Sequence, residues 1–283
     1  MKPFDPRLTP ARPDLAAAHL RGQVAADAYV GGRAMYVSSG IADVRHAPSH
    51  EALLDTQALF GEEVMLHEDH EGWGWVQLTR DGYVGYIAMA ALNEGHIRPT
   101  HCVKVIRTLV YPCPDLKLPA RRASPLGAAV CVRATRGAFA QIGDNAFVFA
   151  DHLAPIDMTE ADFVEVAERF LHVPYLWGGK TSLGIDCSGL VQVSLNAAGI
   201  TAPRDTDLQE QALGAPLALD ADLTLKRGDL VFWRGHVGIM RDETTLLHAN
   251  AHHMLVASEP LSDARERILA KTSQPVTAIK RLS

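Results

Sequence analysis

The chain is short of several things that announce common protein classes. Its 283 residues include only four cysteines, Cys102, Cys113, Cys131 and Cys187, widely spaced and with no CxxC pair. That excludes a zinc knuckle and a disulfide framework. Basic charge is not in excess: 27 Lys and Arg stand against 33 Asp and Glu, a formal net charge of -6. No basic cluster offsets this, so no nucleic-acid partner is expected. No apolar run is long enough to span a membrane. Prolines and acids interrupt "MKPFDPRLTPARPDLAAAHL" before a leader-type core can form. No membrane partner is expected, and the chain reads as cytoplasmic. What it does have is material for cores, with 47% hydrophobic residues and length for one large domain or two to three small ones.

The pattern divides the chain into parts. An N-terminal segment, 1–29, holds "AAAHLRGQV", which suggests a short helix. From there to about residue 92, short apolar runs alternate with turn signals. Val64-Met65-Leu66, Trp75-Val76-Gln77-Leu78 and Tyr83-Val84-Gly85-Tyr86-Ile87 read as strands, with "EDHEGWG" and "TRDG" between them. This suggests a small closed or partly closed β-barrel. The pattern then repeats weakly: "GEEVMLHE" resembles "GAAVCVRA", and "WVQLTRDGYV" resembles "FAQIGDNAFV". Two tandem SH3-like barrels over 30–96 and 97–156 are expected. At 157 the character changes. "TEADFVEVAERFL" has helical apolar spacing with Thr159 as a possible cap. A Gly-rich loop, a second helix and the candidate strands "GDLVFW", "HVGIM", "TTLLHAN" and "HMLVAS" follow. Helices ahead of an antiparallel sheet point to an α+β domain over 157–283.

The second helix carries the chemistry. In "GIDCSGLVQVSLNAAG", Asp186 is a plausible N-cap, Leu190, Val191 and Leu195 recur at helical spacing, and Gly199 is a stop signal. Cys187 therefore falls in the first turn, where unpaired amides and the helix dipole would lower its pKa. A buried structural cysteine is the plain alternative. In the strands, His236 opens "HVGIM" and His248 ends "TTLLHA". Antiparallel neighbours would bring both imidazoles to one face, looking at the cysteine helix. A thiol nucleophile needs a base, and gains from a group that fixes the base's tautomer. A metal site is the competing use of two histidines with a thiol or acid, but a cysteine at a helix start suits attack better. Asp229 reads as a turn residue.

The pieces "VPYLWGGKTSLGIDCSGLVQ", "PRDTDLQ", "LKRGDLVFW", "GHVGIM" and "LLHA" together resemble the NlpC/P60 papain-like cysteine peptidases in order and spacing. The whole chain resembles a narrower group, the γ-D-glutamyl-L-diamino acid endopeptidases with two N-terminal bacterial SH3 domains. The resemblance implies a papain-like fold, Cys187 as nucleophile, His236 as base and His248 as the orienting residue, with no metal or organic cofactor. It implies a cleft lined by Tyr175, Trp177, Asp186, Ser188 and Thr206. Plainer uses remain for some: Trp177 packing, Asp186 capping only, and Arg204 as a surface ion-pair partner.

The resemblance also implies a substrate, a small murein peptide such as L-Ala-γ-D-Glu-meso-diaminopimelate, cut for cell-wall peptide recycling. In this group the first barrel closes one end of the cleft and restricts the enzyme to a free N-terminal L-alanine. Asp186, Glu51 and one of Tyr83 and Tyr86 are the candidate ligands of that amine. An exported hydrolase of intact peptidoglycan and an inactive wall-binding protein are the alternative functions.

Overall fold

The computed structural model describes residues 4–218 and 224–282. Residues 1–3 and 283, the extreme ends of the expected N-terminal segment and C-terminal domain, lie outside that range. Contacts divide the chain after Met158 into two compact units.

The N-terminal segment differs from expectation. Instead of a helix it forms strand β1 (Leu15–Ala17), a single 3-10 turn (Ala18–Leu20) and strand β2 (Ala28–Val30), parallel to β1. Prolines 10 and 13 stand upstream and Gly22 takes φ +81 just after, so no stretch is long enough to carry more than one helical turn. Leu15 is held by packing on Trp75 and Val84.

The first β-module follows as β3 (Arg33–Val37), β4 (Ile41–Arg45), β5 (Leu54–Leu59), β6 (Glu63–His70), β7 (Trp73–Leu78), β8 (Val84–Ala88) and β9 (Leu92–Glu94). They make one sheet in the order β5-β4-β8-β7-β6-β3-β9. Met35, Val37, Val44, Val64, Leu78 and Ile87 come from five of these strands and share one core, so the sheet is wrapped around it. Alternation along each strand supplies the inward residues. The β6–β7 ladder slips between Leu66 and Glu68, which makes His67 the extra residue of a bulge.

A second module runs from β10 (His101–Val103) to β17 (Leu153–Pro155) around Val103, Val110, Val130, Ile142 and Val148. Its order echoes the first. Gly61 and Gly127 precede corresponding strands, and each has φ +82. Both modules also end in a strand, a 3-10 turn and a short closing strand, with turns at Met89–Ala91 and Ala150–His152.

In the C-terminal unit, α1 (Phe163–Glu168) is capped by Asp162, which accepts the Val164 amide at 2.8 Å. Thr159, the expected cap, lies upstream. Helices α2 (Cys187–Ala197) and α3 (Thr206–Ala212) follow. The sheet consists of β18 (Ala215–Pro216), β19 (Leu230–Trp233), β20 (His236–Met240), β21 (Thr245–Asn250), β22 (Leu255–Pro260) and β23 (Ala278–Arg281). All neighbours are antiparallel, in the order β18-β23-β19-β20-β21-β22. Helix α2 packs on β20 and β21. A helix that the sequence reading missed, α4 (Leu261–Thr272), covers Val231, Trp233, Met240 and Leu246 with Leu261 and Ala264.

Candidate active site

Cys187 is the first residue of α2, as its sequence context predicts. Asp186 caps the helix by accepting the Gly189 amide at 2.7 Å, and Gly199 ends it with φ +78. A side chain at position 189 is excluded: its Cβ would stand 2.4 Å from the Gly179 carbonyl oxygen and 2.9 Å from Asp186 Oδ1. The loop before the helix is thereby pressed against the nucleophile's own turn.

Arg204 is not at the surface. It is 1% exposed and forks Asp186, donating from Nη2 to Oδ2 at 2.7 Å and from Nη1 to Oδ1 at 3.0 Å. The same Nη1 reaches Ser188 Oγ at 2.9 Å, and Asp186 Oδ2 also accepts the Gly178 amide at 2.8 Å. Asp186, expected as a ligand for a substrate amine, is thus a buried carboxylate whose charge is matched within the unit. Ser188 belongs to the same cluster.

On the sheet, His236 and His248 stand on adjacent strands with Nε2 of the first 2.8 Å from Nδ1 of the second. His248 Nε2 lies 2.7 Å from Glu259 Oε1. Glu259 is held in turn by Arg267 of α4, whose Nη1 donates to Oε2 at 2.6 Å and whose Nη2 contacts Oε1. Burial acts to raise the Glu259 pKa, but the hydrogen bonds from His248 and Arg267 outweigh it and hold the group at about 2. Glu259 is therefore ionised and accepts only, which fixes both imidazoles. His248 carries its proton on Nε2 and offers a lone pair on Nδ1; His236 donates from Nε2 and keeps its own lone pair on Nδ1. That lone pair is what a base for a thiol requires. Strand alternation puts His248 and Glu259 on the face that α4 covers, since Glu259 pairs across from Leu246. His236 is the first residue of β20, at the end of that strand that meets the start of the cysteine helix. There the amide of Val237, next to His236, lies against the Cys187 thiol.

The thiol itself differs from expectation. Cys187 is 7% exposed, with Thr206 Oγ1 3.8 Å from its sulfur. Burial, and after it the Asp186 charge, push its pKa up to about 11, against the Val237 amide, Thr206 and Arg204. Burial, then the His248 charge, push His236 down to about 3. His248 is lowered as well, chiefly by burial and against Glu259. Desolvation outweighs the helix terminus, and the resting pair is a neutral thiol and a neutral imidazole.

All of these groups fall within residues 172–272, which match the NlpC/P60 family. The C-terminal unit is an NlpC/P60 domain. Its class is that of a hydrolase, a cysteine peptidase. Residues 44–92 match the bacterial dipeptidyl-peptidase SH3 domain, so an SH3-like module precedes the NlpC/P60 domain. The chain is 34% identical to dipeptidyl-peptidase 6 of Lysinibacillus sphaericus over 101 residues, 36% of each protein. It thus spans about a third of that relative's length. It is 28% identical to the γ-D-glutamyl-L-lysine dipeptidyl-peptidase of Bacillus subtilis over 218 residues, 70% of this chain and 72% of the relative. A crystal structure of an NlpC/P60 family protein from Bacillus cereus shares the fold with a TM-score of 0.73, covering 88% of this chain and 99% of that one at 19% identity.

The remaining expected residues are spread more widely. In the NlpC/P60 domain, Tyr175 is partly buried. Burial and the nearby Cys187 and Asp186 charges raise its phenol pKa, which keeps it a donor. Trp177 is 65% exposed. In the N-terminal unit, Glu51 is exposed in the turn before β5. Tyr86 accepts a hydrogen bond from Arg12 at 2.9 Å. Tyr83 is 4% exposed inside the first core, so its expected place at a binding surface does not hold; the ring is packing. Among the described residues one trio of metal-type ligands comes together, His248, His253 and Glu259, with ligand atoms within 4.8 Å. Glu259 is already shared by His248 and Arg267, and that guanidinium opposes a second cation.

Sequence reasoning missed Glu259 and Arg267, and misplaced Arg204. A signal existed for Glu259: an acid at an inward position of "LVASEP" contradicts strand alternation unless it has a buried partner.

Proposed function

We propose that the protein hydrolyses the γ-D-glutamyl bond to a diamino acid in released murein peptides with a free N-terminal L-alanine. One observation carries this: a buried thiol at a helix start beside a histidine pair whose tautomers are set by Glu259, inside an NlpC/P60 domain. The names of the relatives support the bond and the end of the chain at which it is cut. A dipeptidyl-peptidase counts two residues from a free amine, and γ-D-glutamyl-L-lysine names an isopeptide followed by a diamino acid. Here meso-diaminopimelate or L-lysine fills that place. Such peptides arise when wall is broken down, and a recycling role in the cytoplasm follows from that substrate. The second β-module, with its echo of the first, is read as a second SH3-like barrel over 97–156.

The mechanism follows from the neutral pair. As Cys187 Sγ attacks the γ-carbonyl, His236 Nδ1 takes the thiol proton, so no free thiolate needs to persist in a dry site. The imidazolium that forms is stabilised through His248 by the Glu259 charge. The Cys187 amide at the helix start and the Tyr175 hydroxyl are the donors for the oxyanion. His236 then returns the proton to the departing amine, and water, activated by the same histidine, releases the acyl group. Asp186 and Arg204 act by holding the loop and helix start in register.

The test is product analysis on L-Ala-γ-D-Glu-meso-diaminopimelate, its L-lysine counterpart and their N-acetylated copies. The expected result is release of L-Ala-D-Glu from the free-amine peptides alone. Equal kcat/KM for acetylated substrates, or cleavage of intact sacculi, would favour a wall hydrolase instead.

A further inference from the structure

Helix α3 docks without an apolar stripe. Its two buried residues, Thr206 and Gln209, are both polar and share one face at i, i+3 spacing. A surface helix is usually held by apolar residues on its inner face, which favour burial but tolerate sliding. Here directional hydrogen bonds hold it. Gln209 is 0% exposed, and its Nε2 donates to the Ser188 carbonyl at 2.9 Å and to the Pro203 carbonyl at 2.8 Å. Both partners only accept, so the amide has one workable orientation. Its Oε1 is left buried with no partner among the described residues. That is costly, but turning the amide round would set an oxygen against two carbonyls.

The two carbonyls and the helix belong to three separate stretches around the thiol. Ser188 follows the nucleophile in the first turn of α2. Pro203 precedes Arg204, which forks Asp186. Thr206, one turn before Gln209, sets its Oγ1 3.8 Å from Cys187 Sγ. Gln209 therefore fixes where the Thr206 hydroxyl stands without touching the sulfur itself. That hydroxyl acts against burial on the thiol's pKa. A hydroxyl–sulfur contact of this length tightens as the sulfur gains charge. An apolar side chain of the same size at 209 would fill the space and hold neither carbonyl.

We propose that Gln209 is a positioning residue for the nucleophile, its amide fixing the Thr206 hydroxyl on the Cys187 sulfur by tying α3 to the first turn of α2. This rests on Cys187 as the nucleophile of the peptidase reading above, and not on which peptide is cut. No proton changes hands at Gln209 or Thr206. The thiol proton still passes to His236, and the hydroxyl donates to the sulfur as charge builds there.

The full chain is compared with Gln209→Met, which keeps the bulk without the donors, with Thr206→Val and with the double variant. Alkylation of Cys187 by iodoacetamide at pH 9, followed by peptide mass mapping, needs no substrate. Gln209→Met should slow it about threefold, because the sulfur loses a group that favours thiolate. Thr206→Val should slow it as much, and the double variant no further, since both changes remove the same contact. A merely structural role predicts the opposite sign, because a loosened enclosure exposes the sulfur and speeds alkylation. If Gln209→Met does not fold, Gln209→Asn, too short to reach both carbonyls, gives the same reading. The kcat of Gln209→Met on L-Ala-γ-D-Glu-meso-diaminopimelate should fall about tenfold. Unchanged or faster alkylation in the folded Gln209 variant, or additive slowing in the double variant, overturns the proposal. Slowed alkylation in the variants, with no cleavage of that peptide by the parent chain, would overturn the substrate assignment alone.

Discussion

Two carboxylate–guanidinium pairs flank the candidate nucleophile, and they differ in burial and in effect. Asp186 and Arg204 are sealed, with side chains 9% and 1% exposed. Glu259 and Arg267 are less so, at 11% and 19%. Asp186 sits next to Cys187 in sequence, and its charge helps to raise the thiol's pKa. Glu259 stands two imidazoles away and decides which nitrogen of each ring carries a proton. The same chemistry therefore builds the site in one case and sets its proton inventory in the other. Proximity to the sulfur does not separate the two roles. What separates them is which atoms each carboxylate receives: backbone amides and a neighbouring serine for Asp186, an imidazole for Glu259.

The largest effects should come from what both pairs serve. Cys187→Ala should fold and show no turnover. His236→Ala should lower kcat by about 10²–10⁴, the usual loss for a general base. A series in which His248→Ala is worse than His236→Ala would reverse their order in the relay. Next in size is the sealed pair. Arg204→Met leaves a buried carboxylate alone and should destabilise the C-terminal unit by about 3–5 kcal/mol, measured by pulse proteolysis in urea. The double variant with Asp186→Asn should regain part of that loss. Equal stability of single and double variants would mean that the pair is not coupled.

The less sealed pair should trade stability for rate in the opposite proportion. Glu259→Gln should fold nearly normally but lower kcat about tenfold, the worth of one charge-assisted hydrogen bond. Removing the charge that favours protonated imidazole should also move the acid limb of kcat/KM to lower pH, which a purely structural defect would not do. Linkage has its own sign here. The Glu259 pKa is depressed in the folded state to about 2, so its contribution to stability is present above its unfolded pKa and is lost as pH falls towards 2. The variant should lose that part of the acid sensitivity. The smallest effect is a labelling order. Iodoacetamide should modify exposed Cys113 first and buried Cys187 slowly. The Cys187 rate should still be climbing at pH 9, because its pKa is raised to about 11. A flat rate from pH 6 upwards would indicate a preformed ion pair.

How far the sequence could be read depended on whether the controlling contacts were local. The cap at Asp186, the start of α2 at Cys187 and the stop at Gly199 lie within one helix, and all were legible. So were the strands bearing His236 and His248, because short apolar runs between turns need no partner to be recognised. Helix α4 was not legible: only Leu261 and Ala264 are buried, too few for a visible stripe. With α4 missed, Arg267 had no address and Glu259 looked like the end of a strand. The thiol's pKa failed for a related reason. A first-turn position is a local property, whereas burial depends on Val237, Thr206 and the loop at Gly179, which the fold brings together from distant stretches. Arg204 was misplaced because an arginine in a loop is usually solvated, and only the buried Asp186 makes it otherwise.

The neutral state of Cys187 bears on how the protein would fare under oxidative stress. Peroxide and electrophiles react with thiolates, and a protonated, enclosed sulfur presents them with little to attack. A sulfur that is activated only as an acyl group arrives would pass through such conditions with its first oxidation step slow. Sulfenic acid formation at Cys187 should therefore lag behind that at exposed Cys113. Covalent inhibitors that rely on a standing thiolate would fail for the same reason, and those built around a γ-glutamyl carbonyl would succeed by bringing the proton transfer with them.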